Sequence, residues 1–409
     1  MGNSHECMIC NKSVNPFMSF GKMPIANGFL TEDQFLTEYF FELAIAFCEH
    51  CGMVQLMEQP AREKMFNENY AFFSGTSQAM AVHFQTFAEK VILDYLPTDN
   101  PFVVEIGSND GIMLQHFANK KIRHLGIEPS LNVAQVAKEK GINTISKFFD
   151  EKLAREIVYK YGQADAFLGA NVMCHIPYLH SVVEGINILL KDKGIVMFED
   201  PYMGAVIENT SYDQFYDEHV FLFSILSIGY IFEQHGMEII DVEPQWTHGG
   251  SMRYVIARKG ARPISKKVNE QLQKELALGI NKPLIYEKFK KNCEESRDAL
   301  TSLLKEIKQE GKRVVGYAAT SKSTTVLNYC GIGPELLEFI SDTTPIKQGK
   351  FSPGMHIPVR PYEKFLAKYP DYALLLAYNH AKEIMAKEQN FMASGGKWIV
   401  YVPEVRVLS

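Results

Sequence analysis

Between Phe102 and about Lys259 short apolar runs alternate with stretches of helical period, which predicts a doubly wound, mostly parallel α/β sheet. Strands are predicted at 102–106, 123–127, 143–146, 165–169 and 194–199, with two more at 237–243 and 252–258, where Met252-Arg-Tyr-Val-Ile-Ala257 reads as antiparallel. From about 262 to 308 Lys, Glu, Leu and Gln dominate, the pattern of a long amphipathic helical connector. Arg313-Val-Val-Gly-Tyr-Ala-Ala-Thr-Ser-Lys-Ser323 then repeats the strand, small-residue turn and helix. Further strands at 337–340, 373–377 and 398–402 predict a second, smaller Rossmann-like sheet. Upstream of the first sheet, Asn69-Tyr-Ala-Phe-Phe-Ser-Gly-Thr76 reads as a hinge before a helix carrying Met80, Phe84 and Phe87. Three domains follow, 1–73, 74–262 and 263–409, in keeping with a length of 409 residues, too great for one compact core.

An open sheet of this kind binds its ligand beyond the carboxyl ends of its strands. The first strand runs into Glu105-Ile-Gly-Ser-Asn-Asp-Gly111, with Gly107 and Gly111 where the backbone turns tightly and approaches a ligand. The spacing is Glu-x-Gly-x-x-x-Gly, not the Gly-x-Gly-x-x-Gly that delivers a pyrophosphate to a helix N-terminus. Carboxylates at Glu105 and Asp110 repel phosphate and suit a cationic ligand, of which S-adenosylmethionine, with its sulfonium and amino group, is an example. Glu128 ends the second strand 21 positions after Gly107, where this topology puts an acid on a ribose diol. Asn109, Phe148 in the loop after the third strand, and Asn171 after the fourth complete the donor-binding set, Asn171 at the amino-acid end.

Cysteine spacing adds a second chemistry. Cys7-x-x-Cys10 and Cys48-x-x-Cys51 are two metal knuckles that together supply a closed tetrahedral shell for a structural zinc ion, one that folds the N-terminal module and does no chemistry. A redox Cys-x-x-Cys needs only one pair. Close pairs among seven cysteines favour metal over disulfides and a reducing cytoplasm. No apolar run is long enough to span a membrane, and the N-terminus lacks a signal-peptide profile. With 42 basic against 48 acidic residues the formal charge is -6, and no basic run recommends a nucleic acid. The expected partner is therefore a small molecule, bound by a cytoplasmic monomer.

Tyr216-Asp-Glu-His219 is dense in groups that move or orient protons. A neutral imidazole is poised near working pH and a neighbouring carboxylate fixes its tautomer, which makes His219 the best base in the chain; a polar helix start before a buried Phe221–Phe223 stretch is the alternative reading. His175, after the fourth strand, either faces the neighbouring pocket or packs. The turn at 318–323 offers amides and Lys322 to an anion, so the second sheet either holds a phosphorylated acceptor or is a scaffold.

These motifs, in this order and across all three regions, resemble the bacterial sugar C-methyltransferases that act on nucleotide-linked deoxysugars, most nearly the C-3′ branch. The resemblance rests on the paired Cys-x-x-Cys module, Val104–Leu114, Glu128-Pro-Ser130, Cys174–Tyr178, Phe198–Tyr202, Tyr216–His219, His248-Gly-Gly250, Ala319-Thr320 with Lys322-Ser323, Asp342–Pro345 and His356–Arg360. Ala318 stands where the family usually has glycine, and Ser108 where cysteine can occur. The fold it implies is α/β, a class I Rossmann-like S-adenosylmethionine-dependent methyltransferase core between an N-terminal four-cysteine zinc module and a C-terminal Rossmann-like domain. It implies that His219 removes the proton beside a 4-keto group, that Tyr216 and Glu218 orient His219 or the sugar, and that the enolate takes the methyl at C3. It further implies that Tyr70 and His175 border the sugar, with Lys322, Asn379 and His380 toward the nucleotide. C5 methylation, a nucleotide-sugar oxidoreductase and a non-catalytic methyltransferase-like scaffold are the competing expectations; the oxidoreductase lacks its Gly-x-Gly-x-x-Gly loop.

Overall fold

The computed structural model describes residues 5–61, 78–97 and 99–409. Tyr70 and the hinge segment 69–76 lie outside the described residues.

The central sheet has seven strands, β1 Phe102–Ile106, β2 Arg123–Ile127, β3 Thr144–Ile145, β4 Ala164–Ala170, β5 Leu190–Pro201, β6 Met237–Gln245 and β7 Ser251–Arg258. Their spatial order is β3-β2-β1-β4-β5-β7-β6, with β7 antiparallel to both neighbours and the other pairings parallel. β1 is buried along its whole length because helices cover both faces, which is why it reads as an unbroken apolar run with a single acid. The order reverses between β1 and β4, and the crevice beyond their carboxyl ends is the switch point where a ligand sits.

The C-terminal domain is a six-stranded sheet with Val314–Tyr317 at its centre, all parallel except the edge strand Arg406–Leu408. The strand expected at 337–340 lies at Ile340–Asp342, because the amides of Leu336 and Leu337 both turn back to the Gly333 carbonyl. The connector is two helices, Lys266–Leu278 and Pro283–Gln309, parted where Gly279 takes the left-handed cap (φ 82°) and Pro283 opens the next first turn. Ala318 holds φ 73°, a conformation that costs an alanine about 1–2 kcal/mol, while its amide donates to the Ser341 carbonyl at 2.8 Å. Ala318→Gly relieves that strain at some cost in unfolded-chain entropy, so a urea titration should show a net gain of about 0.5–1 kcal/mol.

The N-terminal module is a four-stranded antiparallel sheet, Pro16–Pro24, Phe40–Phe47, Val54–Leu56 and, from the methyltransferase region, Phe221–Leu222. That last strand closely follows His219. The module has no separate core: Cys7, Cys48, Cys51 and Met53 pack in one cluster with Phe221, Phe223 and Ile228. Among the described residues no helix is long and apolar enough to cross a membrane.

Candidate active site and metal centre

One cavity of about 390 Å³ opens at the carboxyl ends of β1, β2 and β4, and all three domains line it. At the donor end are Gly107, Asn109, Glu128, Phe148 and Asn171; at the other end are His175, Tyr216, Glu218, His219, Asn379 and His380. The structure thus brings residues singled out in the methyltransferase region and in the C-terminal domain to one site.

Gly107 sits at φ 59° with Val172 close above it, so that a Cβ there would meet Val172 Cγ2 at 2.6 Å. Glycine is required both by the turn and by the floor of the cavity. Glu128 accepts the Ser130 amide on Oε1 at 2.8 Å and the Asn109 amide on Oε2 at 3.1 Å. Burial pushes its pKa up and these amides partly offset the shift. Held so, the carboxyl keeps further lone pairs for a ribose diol. Asn171 is left-handed (φ 54°), and its Oδ1 is buried with no hydrogen-bond partner among the described residues, an acceptor suited to an ammonium group. Glu128, Asn171 and the apolar Ile127 and Phe148 are the groups that would hold S-adenosylmethionine, which supplies an electrophilic methyl group when bound.

Two expected donor contacts lie elsewhere. Asp110 is turned away from the cavity and paired with Lys140 Nζ at 2.9 Å, thirty residues on, so it fastens the loop. Glu105 lies beneath the loop; burial first, then the charges of Glu128 and Asp110, push its pKa well above the usual carboxylate range. Its Oε2 is buried and, among the described residues, has no hydrogen-bond partner.

His219 is bound on both nitrogens. Nδ1 donates to the Gln214 carbonyl at 2.7 Å and Nε2 accepts from the Tyr216 hydroxyl at 2.7 Å. The carboxylate expected beside it makes neither contact: Glu218 instead accepts from Asn27 Nδ2 at 2.7 Å. A backbone carbonyl fixes the tautomer, because the turn at 212–219 folds its own main chain under the ring. Burial, reinforced by His175, holds the His219 pKa well below the ordinary imidazole value, so the ring is a neutral base across the neutral range. His175 has its ring 5.3 Å from that of His219 and is held down to about 4 by burial.

Lys322 does not reach the cavity. Its Nζ donates to the His248 carbonyl at 2.9 Å, and burial lowers its pKa to about 8 despite the nearby Asp213. Asp213 in turn accepts from Tyr401 at 2.9 Å and Tyr378 at 3.3 Å. This buried group ties the C-terminal domain to the base loop, with Gln214 also donating to the His248 carbonyl. Its neighbours Asn379 and His380 do line the cavity, as does His248 of the His248-Gly-Gly250 motif and as do Asn27 and Trp246, which nothing in the local pattern singles out.

The four knuckle cysteines converge, with Cys7 and Cys51 sulfurs 3.5 Å apart and Cys10 and Cys48 sulfurs 3.4 Å apart. Those spacings approach the ~3.8 Å edge of a tetrahedron built on Zn–S bonds of about 2.3 Å. The Ile9 amide donates to Cys7 Sγ at 3.4 Å, as a metal knuckle requires. Burial and the close approach of the sulfurs work against charged thiolates at Cys10 and Cys51, which a bound cation would offset.

The strand order with its reversed β7, the glycine turn after β1 and the acid ending β2 above one cavity define a methyltransferase of the S-adenosylmethionine-dependent class. More narrowly, the chain belongs to the C-methyltransferase family. It is 33% identical over 407 residues to C-methyltransferase NovU of Streptomyces niveus, covering 99% of this chain and 97% of that one. Residues 7–66 match the family profile described as "Putative zinc binding domain", 80–242 a methyltransferase domain and 246–403 the C-methyltransferase C-terminal domain. Among solved structures, magnesium protoporphyrin IX methyltransferase of Synechocystis is 13% identical with a TM-score of 0.34, covering 44% of this chain and 79% of that one. The PH0226 protein of Pyrococcus horikoshii is also 13% identical, with a TM-score of 0.37, covering 47% of this chain and 100% of that one.

Proposed function

We propose that this enzyme methylates C3 of a nucleotide-linked 4-keto-6-deoxy sugar through an enolate. The observation that carries the reading is the pairing of a neutral, tautomer-fixed His219 with Tyr216 in the same cavity as the donor-binding loop. A base is needed where the acceptor is carbon: a C–H beside a ketone must lose its proton before carbon can attack a methyl group. His219 Nε2 takes that proton through Tyr216, whose hydroxyl gives its own hydrogen to Nε2 as its oxygen receives the one from carbon, while Nδ1 stays bound to Gln214. Carbon then bonds to the methyl as the methyl–sulfur bond breaks toward sulfur, and the ketone re-forms. The protein contributes alignment and exclusion of water, which is most of what such a displacement requires. His175, Asn379 and His380 border the acceptor on its far side, and Tyr70 precedes the helix that carries the cavity residues Met80 and Phe84. Cys7, Cys10, Cys48 and Cys51, none of which lines the cavity, would hold zinc in a closed shell.

The test is mass spectrometry of purified protein with S-adenosylmethionine and TDP-, GDP- and CDP-linked 4-keto-6-deoxy sugars. One sugar should gain a single methylene and, in heavy water without donor, exchange its C3 hydrogen. Donor binding with neither methylation nor exchange on any keto sugar would move the acceptor to another class.

A further inference from the structure

Asn27 belongs to the N-terminal module, yet it lines the cavity beside Tyr216, Glu218 and His219, and its Nδ2 donates to Glu218 Oε1 at 2.7 Å. Its own position is fixed on both sides. The Ala26 amide donates to Asp217 Oδ1 at 2.8 Å, and Thr324 of the C-terminal domain donates to the Ala26 carbonyl at 2.8 Å. The turn that carries Asn27 is therefore gripped at the point where the three domains meet.

Asp217 and Glu218 are adjacent buried carboxyls, and among the described residues neither has an ion-pair partner within 4.0 Å. Lys347, the nearest cation to influence Glu218, donates to the Ala319 carbonyl at 2.8 Å and lies over the Phe29 ring. Burial raises the pKa of both carboxyls, and the charge of Asp217 drives Glu218 higher, to about 8. At neutral pH Glu218 thus carries a proton. With Oε1 accepting from Asn27, that proton is directed to Oε2.

The proposed reaction calls for such a group. As the proton leaves carbon, negative charge develops on the keto oxygen, and a donor held there in a dry site stabilises the transition state. His219 and Tyr216 are already occupied with each other. A carboxylic acid kept neutral by burial can donate where a carboxylate can only repel.

We propose that Asn27 is a positioning residue that fixes Oε1 of Glu218, so that this buried carboxylic acid donates its hydrogen bond from Oε2 to the keto oxygen of the acceptor. The inference rests on the enolate reading above. The substrate carbon gives its proton to the Tyr216 oxygen as the Tyr216 hydrogen passes to His219; the Glu218 proton remains on Glu218, shared with the enolate oxygen until the ketone re-forms.

The experiment compares wild type, Asn27→Leu and Glu218→Gln in full-length, zinc-replete protein, measuring kcat/KM against pH, S-adenosylhomocysteine affinity and C3 exchange in heavy water. Wild-type kcat/KM should fall as pH rises through about 8, because the active form of Glu218 is the protonated one. Asn27→Leu should lose about 10-fold to 100-fold in kcat and in exchange, with donor affinity unchanged. Its alkaline limb should move to higher pH, since the lost amide hydrogen bond had favoured the ionised carboxyl. Glu218→Gln, which keeps a donor but cannot ionise, should retain measurable activity and lose the alkaline limb altogether. A limb that stays in place in both variants overturns the inference, as does undiminished exchange in Asn27→Leu. Should Asn27→Leu fail to fold, judged by zinc content and melting, the Glu218→Gln profile alone decides. Wild type that exchanges and methylates no keto sugar overturns the enolate reading instead.

Discussion

His219→Asn eliminates methyl transfer, with a loss of at least about 10²–10⁴ in kcat, while affinity for S-adenosylhomocysteine stays within a factor of about two. The asparagine amide can still donate toward the Gln214 carbonyl, so the turn at 212–219 keeps its shape. What disappears is the basic lone pair of Nε2. Because the imidazole pKa is held low by burial, wild type shows no acid limb near neutrality; the ring is already neutral there. C3–H exchange in heavy water separates base function from alignment: the variant should fail to exchange as well as fail to methylate. A variant that exchanges normally yet does not methylate would assign proton removal elsewhere. Loss of donor affinity would mean that His219 shapes the cavity, not the chemistry.

What the sequence disclosed was whatever is encoded over short distances. The glycine turn and Glu128 lie within one β-α-β unit, so their separation alone places them opposite each other across the β1–β2 crevice. The paired cysteine spacings disclosed the metal cluster in the same way. Contacts chosen by tertiary packing left no such trace. Asp110 faces Lys140 only because the helix after β2 returns beside the loop. Lys322 looked like an anion ligand at a helix start, but the domain interface turns it inward to the His248 carbonyl and Asp213. Glu218 sits next to His219 in the chain, and that adjacency suggested a dyad. The turn sends the two side chains apart, and the partner of Glu218 comes from Asn27, 191 positions earlier. His248 is of a residue type that tolerates a left-handed backbone and adopts φ 54° before two glycines, but nothing in that local pattern tells that its carbonyl meets Lys322 and Gln214.

Removing the metal should silence the enzyme without removing its donor site. Structural zinc held by thiolates contributes on the order of 10–16 kcal/mol to folding in small modules, and this one has no core of its own to replace it. Its collapse would release Val54–Leu56, on which Phe221–Leu222 pairs, Gln55 opposite Phe221 and Val54 opposite Leu222. It would also release Ala26 and Asn27 from Asp217 and Glu218. The carboxyl-terminal half of the base loop thereby loses its supports. Gly107, Glu128 and Asn171 depend instead on parallel strands that the module does not join, namely β1 with β2 and β4 with β5. Cys48→Ser, or chelation under mild denaturant, should therefore abolish methyl transfer and C3–H exchange together, while S-adenosylhomocysteine still binds within about tenfold. Hydrogen exchange should rise across 211–224 and not across 102–128, and restoring zinc to the chelated protein should restore turnover. Full activity in metal-free protein would confine the zinc to local folding. Loss of donor binding in parallel with activity would show that the module supports the whole sheet and not the base loop alone.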